Sequence, residues 1–228
     1  MIGFISIMAK ELAIVLNNGS VNSAVATALA AQKFRPVLLY AELGPQTHAR
    51  AHAAYDQQVA HFKPYREHTL PMPFFAPMGS SSTQQAAASD PRQLQPLGPQ
   101  MIEMLPLLSV AVRFAAQYNA VAIFSGMRIG TASDALAQAT EYLQIWKEMI
   151  QIPCGMRDVE LEAPLLELEP WQVVDLGTNV SAPFDRTWSC LEEGGEACWA
   201  CRGCRAREAA FTQAAKPDPL KAVARALR

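Results

Sequence analysis

Leu12-Ala13-Ile14-Val15-Leu16 is an uninterrupted apolar run, and Asn17-Asn18-Gly19-Ser20 follows it directly. Such a short run suits a strand buried on both faces and falls short of a helix. Asn, Gly and Ser are turn and N-cap residues. The Ala-rich stretch 24–32 then predicts a helix. Pro36-Val37-Leu38-Leu39-Tyr40 reads as a second buried strand, 49–60 as a helix and 67–70 as a short third strand. Strands alternating with helices at this spacing signal a parallel α/β sheet.

Downstream the composition changes. Residues 71–100 are rich in Pro, Ser, Gln and Ala without periodicity, and are expected to form a long mobile loop. Patterning resumes with a helix over 102–118, a buried strand over 120–124 and a helix over 134–150 that Asp134 would cap. A strand over 159–161, a helix from Pro170 to near Gly177 and a helix over 205–214 complete the series. No internal repeat is present. The tail 216–228 carries Lys216, Lys221, Arg225 and Arg228 against Asp218, with Leu220, Val223 and Leu227 at helical spacing. It reads as a weakly packed terminal helix, with a partner contact as the alternative.

The chain has 228 residues, 50% hydrophobic and 18% charged, with a net charge of -2. That composition excludes a disordered polyelectrolyte and supplies ample core. The near-neutral balance argues against a nucleic-acid partner. No apolar run approaches the ~20 residues that span a bilayer. Met1 to Met8 is apolar but lacks the basic region of a signal peptide, and Met8 is an alternative start. A cytoplasmic, reducing location is therefore expected, where clustered cysteines are metal ligands or catalysts rather than disulfides.

Four of the five cysteines fall in the pattern Cys190-x7-Cys198-x2-Cys201-x2-Cys204. Cys-x2-Cys turns bring two thiolates to tetrahedral zinc geometry, and four such ligands leave no open position, which makes the site structural. Gly194 and Gly195 permit the reversal between Cys190 and Cys198. An iron–sulfur cluster uses the same ligands and is the rival reading. Cys154 stands apart and is expected to be an ordinary small residue near the core.

Thr187-Trp188-Ser189-Cys190, Gly194-Gly195-Glu196, then Cys198, Cys201, Cys204, Arg205, Arg207-Glu208 and Phe211 resemble the C-terminal zinc block of the 7-cyano-7-deazaguanine synthases. Pro164-Leu165-Leu166 and the helix after it resemble the segment that precedes that block. The strand–turn–helix at 12–32 falls where the family has its phosphate loop. The resemblance implies an N-type ATP pyrophosphatase: a Rossmann-like parallel sheet with helices on both faces and a C-terminal four-cysteine zinc module. The corresponding division is a Rossmann-like domain over 9–186, the zinc module over 187–214 and the tail over 215–228. It also implies ATP-dependent activation of a carboxylate, that of 7-carboxy-7-deazaguanine or a related acceptor. Ammonia then gives an amide and a second activation a nitrile, on the route to queuosine. Zn2+ would be structural, and ATP with Mg2+ the nucleotide substrate.

The family's loop reads Ser-Gly-Gly-x-Asp-Ser; the aligned residues here are Asn18, Gly19, Ser20, Val21, Asn22 and Ser23. A small-residue turn opening a helix aims backbone N–H groups at an anion. Asn18, Gly19, Ser20, Asn22 and Ser23 are accordingly the candidate nucleotide-binding residues, with an ordinary capped turn as the alternative. The acidic residue is replaced by Asn22, and a lysine that the family places after its Pro-Leu pair is replaced by Pro170. The family's Arg-Asn pair and its Tyr-Pro-Asp-Cys stretch have no clear counterparts, Asp134 being at most a relic of the latter.

Glu42 follows the second strand, and Ser125-Gly126-Met127-Arg128 follows the fourth, at the sheet edge where open α/β folds place ligands. Glu42, Arg128 and Asp134 are thus candidates for substrate or phosphate contacts; solvated surface positions are the alternative. His48 and His52 lie four apart without the acidic partner of a zinc-protease helix. Arg202, Arg205 and Arg207 either pack within the cysteine block, pairing with neighbours such as Glu208, or line the cleft.

Three functions follow. The first is a divergent ATP-dependent ligase taking a small-molecule substrate and ATP, with a homodimer as the candidate assembly. The second is a degenerate relative that binds nucleotide or acts as a scaffold. The third is an RNA-binding zinc module using its arginines and basic tail.

Overall fold

The computed structural model describes residues 10–43, 49–73, 97–192 and 194–221. The alternative start at Met8, the stretch 74–96 within the expected loop, His48, and Val223, Arg225, Leu227 and Arg228 lie outside the described residues.

Five strands form one sheet: β1 (Leu12–Leu16), β2 (Arg35–Glu42), β3 (Arg66–Pro71), β4 (Ala122–Ser125) and β5 (Glu160–Glu162). Their spatial order is β3-β2-β1-β4-β5, and every pairing is parallel. Ala13, Val15, Leu38, Tyr40, Ala122 and Phe124 point to one face, where α1 (Val21–Lys33) and α2 (Ala49–Phe62) cover them. Ile14, Val37, Leu39 and Ile123 point to the other, under α3 (Gly98–Tyr118) and α4 (Ser133–Gln151). Burial on both faces explains why β1 and β2 are continuous apolar runs rather than alternating ones. The fold is the Rossmann-like parallel sheet expected.

Behind α1 lie α5 (Pro170–Asn179) and α6 (Arg202–Gln213), with Val25, Ala26, Val173, Val174, Phe184, Ala210 and Phe211 in one core cluster. So α1 is packed on both sides, and its small residues let sheet and helices approach closely. Lys10 Nζ donates to the carbonyls of Ala31 and Gln32 at its C-terminus, where a cation meets the negative helix end.

The helix expected from Pro170 to near Gly177 is α5; it ends at Asn179, and a Cβ on Gly177 would lie 2.4 Å from the Phe184 ring and 2.6 Å from Val25, so this glycine serves close packing. Two expectations are corrected. Asp134 is not the cap of α4; Ala132 takes that position and Asp134 lies in the first turn, where the helix dipole favours an anion. Cys154 is exposed, in the turn after α4, rather than near the core. Pro71 closes β3 and residues 98–100 open α3, so regular structure enters the expected 71–100 loop from both ends. No helix among the described residues is long and apolar enough to cross a membrane.

Candidate functional site

β1 and β4 are neighbours whose following helices lead away to opposite sides of the sheet. Ligands of open α/β sheets bind in the crevice at this reversal, beyond the carboxyl ends of the strands. The turns after both strands meet there: a Cβ on Gly126 would lie 3.0 Å from the backbone of Asn22 and Ser23.

In the first turn, Gly19 has φ +77, and a Cβ on it would sit 2.3 Å from the Ala51 carbonyl oxygen. Glycine is required twice over, by conformation and by the approach of α2. Ser20 is the N-cap of α1; its Oγ accepts the Ser23 N–H at 3.3 Å and its carbonyl accepts the Ala24 N–H at 3.0 Å. By helix geometry the Val21 and Asn22 N–H groups have no intrahelical partner. Asn18 is exposed, Ser20 and Asn22 are half-buried, and Gly19 and Ser23 are buried. The Ser23 hydroxyl lies 3.1 Å from both Asn17 Oδ1 and the Ser20 carbonyl oxygen.

Asn17 was not singled out from the sequence, yet it organises this turn. It is 2% exposed. Its Oδ1 accepts the Gly19 N–H at 2.8 Å, and its Nδ2 donates to Thr27 Oγ1 at 3.0 Å and to Gln58 Oε1 at 2.9 Å. Gln58, fully buried on α2, donates from Nε2 to the Arg186 carbonyl at 2.9 Å. Trp188 N–H donates to the Gly19 carbonyl at 2.9 Å. Asn17 had a local signal, being polar directly after a buried strand; Gln58 had none, because its partners are distant in sequence.

Arg128 is half-buried and donates to the Leu168 carbonyl at 3.3 Å. It flanks Glu169, the N-cap of α5, which accepts from Thr131 N–H at 3.0 Å and Thr131 Oγ1 at 2.7 Å. Those two hydrogen bonds, with a smaller attraction from Arg128, hold the Glu169 carboxyl below its ordinary range. Arg128 therefore stands at the start of α5, beside Pro170. Glu42 lies on the other side of the first turn, 3.6 Å from His52 Nδ1, and His52 Nε2 is 3.8 Å from Asp56. The His52 ring stacks on Tyr40 at 4.7 Å. Burial, then the carboxylates of Glu42 and Asp56, push the Tyr40 hydroxyl up to about 12. His52 thus has acidic neighbours in space that the spacing of His48 and His52 did not show.

The four cysteines come together as expected. The sulfurs of Cys190, Cys198, Cys201 and Cys204 all lie within 4.8 Å of one another, with Cys198–Cys204 at 4.0 Å and Cys201–Cys190 at 3.9 Å. Four sulfurs at ~2.3 Å from one tetrahedral ion would stand ~3.8 Å apart, so the cluster fits a metal with little adjustment. Backbone N–H groups of Leu191, Cys198, Ala200, Cys201 and Cys204 point at the sulfurs at 3.2 to 3.5 Å. Such donors stabilise thiolates; those from Leu191 and Cys204 lower Cys201 to about 6, whereas burial pushes Cys204 up. A Cβ on Gly203 would lie 2.0 Å from the Ser189 carbonyl oxygen, so glycine is needed where α6 starts against the segment that carries Cys190.

Arg207 does not face the crevice. It forms a buried ion pair with Asp218 at 2.7 and 2.8 Å and donates to Thr187 Oγ1 at 2.6 Å and the Phe184 carbonyl at 2.9 Å. Glu208 pairs with Lys221 instead. The first part of the tail is thereby tied to α6. Arg202 and Arg205 are exposed.

A family model described as queuosine biosynthesis protein QueC matches residues 12–215. The 7-cyano-7-deazaguanine synthase of Acidobacterium capsulatum is 26% identical over 221 residues, 92% of this chain and 96% of that protein. That of Chloroherpeton thalassium is 28% identical over 218 residues, again 92% and 96% of the two chains. Among solved structures, a 4-thiouridine synthetase in complex with RNA and bound ATP superposes with a TM-score of 0.50 at 15% identity. That match covers 75% of this chain and 41% of the other, and is a likeness of fold.

Proposed function

The chain belongs to the QueC family, and from that membership we propose that it activates a carboxylate with ATP and converts it, with ammonia, to an amide and then a nitrile. The acceptor would be 7-carboxy-7-deazaguanine or a close relative. The carboxylate oxygen attacks the α-phosphorus of ATP and pyrophosphate leaves. Ammonia displaces AMP from the adenylate to give the amide. A second ATP adenylates the amide oxygen, and loss of AMP and a proton leaves the nitrile. Each oxygen lost from the substrate departs on AMP.

The observation that carries this reading is the turn at Asn18–Ser23 opening α1 at the reversal between β1 and β4. The N–H groups of Val21 and Asn22, with Asn18, Ser20 and Asn22 side chains, would receive phosphate oxygens there. Gly19 and Ser23 would shape the turn. Mg2+ would offset the charge of the phosphates. Arg128, at the start of α5 beside Pro170, would supply a cation where the resemblance expects a lysine. Glu42 and Asp134 would be the candidates for acceptor or metal contacts. Cys190, Cys198, Cys201 and Cys204 would hold Zn2+ in a closed, structural site. The same chemistry calls for a cytoplasmic, nucleotide-rich setting; a homodimer is compatible with it.

Asn22 in place of an acidic residue, with Pro170 in place of lysine, favours a second reading: a relative that binds nucleotide without turning it over. Pyrophosphate release from ATP and Mg2+, with and without 7-carboxy-7-deazaguanine and ammonia, separates the two. Substrate-dependent release with nitrile product supports the ligase. No release from folded, metal-loaded protein that still binds ATP supports the second reading.

A further inference from the structure

We propose that Asn17 is the positioning residue of the phosphate-receiving turn, acting through a polar chain whose direction is set at both ends by the backbone. The inference rests on the reading of that turn as a nucleotide site. An asparagine side chain has two N–H donors and an oxygen with two lone pairs. All four capacities of Asn17 are used: Gly19 N–H and Ser23 Oγ on Oδ1, Thr27 Oγ1 and Gln58 Oε1 on Nδ2.

The orientation of both amides follows from covalent structure. The Arg186 carbonyl is an acceptor, so Gln58 must present Nε2 to it, which leaves Oε1 for Asn17. Asn17 must then present Nδ2 to Gln58, which leaves Oδ1 for the Gly19 N–H, a donor. The Thr27 hydroxyl, having accepted from Asn17, donates to the Ser23 carbonyl at 2.7 Å. No flipped arrangement satisfies both ends, so the chain holds one state.

Two consequences concern the ligand. The Gly19 N–H and the Ser23 hydroxyl are turned inward, and phosphate is left to the helix-terminal N–H groups of Val21 and Asn22. The turn is also tied through Gln58 to Arg186, just before the cysteine block. Asn17 touches no ligand itself; it sets the geometry in which those N–H groups converge, a preorganisation that phosphate binding would otherwise have to supply.

The test uses full-length, metal-loaded protein. Asn17→Asp keeps the shape but removes both donors and places a carboxylate against Thr27 Oγ1 and Gln58 Oε1. Gln58→Met breaks one arm and leaves Asn17 in place. Affinities for Mg-ATP, pyrophosphate and adenosine are measured beside melting temperature and metal content. Asn17→Asp is expected to weaken ATP and pyrophosphate about tenfold or more, a change of ~1.4 kcal/mol or above. Adenosine binding is expected to stay as in the wild type, a selectivity that a merely destabilised fold would not show. Gln58→Met is expected to weaken the same two ligands by less, and decides the matter if Asn17→Asp does not fold. Variants that fold and bind ATP as the wild type does overturn the inference alone. Wild-type protein that binds neither ATP nor pyrophosphate overturns the proposed function, and the inference with it.

Discussion

The backbone N–H of Trp188 donates to the carbonyl of Gly19 at 2.9 Å. One residue stands two positions before the first cysteine of the four-cysteine block and the other is the pivot of the turn after β1, so segments far apart in sequence share a hydrogen bond. Gly19 is held from three sides: by Trp188, by Asn17 through its N–H, and by the Ala51 carbonyl against its Cα. The four-cysteine segment is thereby tied directly to the turn after β1.

Gly19→Ala should be among the most damaging small substitutions. It combines a left-handed conformation with a Cβ 2.3 Å from a carbonyl oxygen. Backbone strain and overpacking together should cost about 2–4 kcal/mol. Thermal unfolding and ATP titration should both report the loss; a melting temperature equal to that of the wild type would contradict it.

Asp218→Ala removes one partner of an ion pair whose side chains are 2% and 5% exposed. Leaving Arg207 buried and charged without it should destabilise the protein by about 3–5 kcal/mol. Asp218→Asn, which retains an acceptor, should cost less. Denaturant unfolding measures both. Equal stabilities for the three proteins would mean that the Arg207–Asp218 pair contributes nothing to the stability of the fold.

Cys201→Ser should abolish stoichiometric metal binding and lower the melting temperature, because a structural tetrahedral site contributes folding energy directly. Elemental analysis should find one zinc per wild-type chain, and chelation should reproduce the destabilisation of the variant. Iron with sulfide in the purified protein would instead assign the cluster to the rival chemistry.

Glu169 should titrate below its ordinary value of 4.5 because Thr131 donates to it twice. A carboxylate whose folded pKa is depressed adds stability above its unfolded value and loses it as pH falls through the folded value. Thr131→Val removes the hydroxyl donor and should bring the pKa back up, narrowing acid tolerance. Carbon-detected titration of the Glu169 carboxyl reads the change; an unaltered pKa in Thr131→Val would rule out that hydrogen bond as the cause.

The elements were legible where local chemistry decided them. The five apolar residues 12–16 occur as β1 with those bounds, since nothing but burial on both faces accommodates them. Cys190, Cys198, Cys201 and Cys204 announced their convergence through spacing alone, because Cys-x2-Cys turns are short-range objects. Boundaries set by packing were less legible. Gly177 packs against Phe184 and Val25, neighbours that its sequence surroundings do not reveal, and Asp134 falls in the first turn because α4 begins one residue earlier, at Ser133.

The alternation of strand and helix, the four-cysteine pattern and the small-residue turn at 17–20 were readable from neighbouring residues, because each is a property of residues a few positions apart. Tertiary structure alone decided that Asn17 is linked through Gln58 to Arg186, that Arg128 stands at the start of α5, and that Arg207 serves Asp218 rather than the crevice. Gln58 and Arg186 are 128 positions apart. A hydrogen bond between them leaves no local pattern; it exists because a parallel sheet brings distant connections to one edge, where buried polar groups must be satisfied by whatever the fold places beside them.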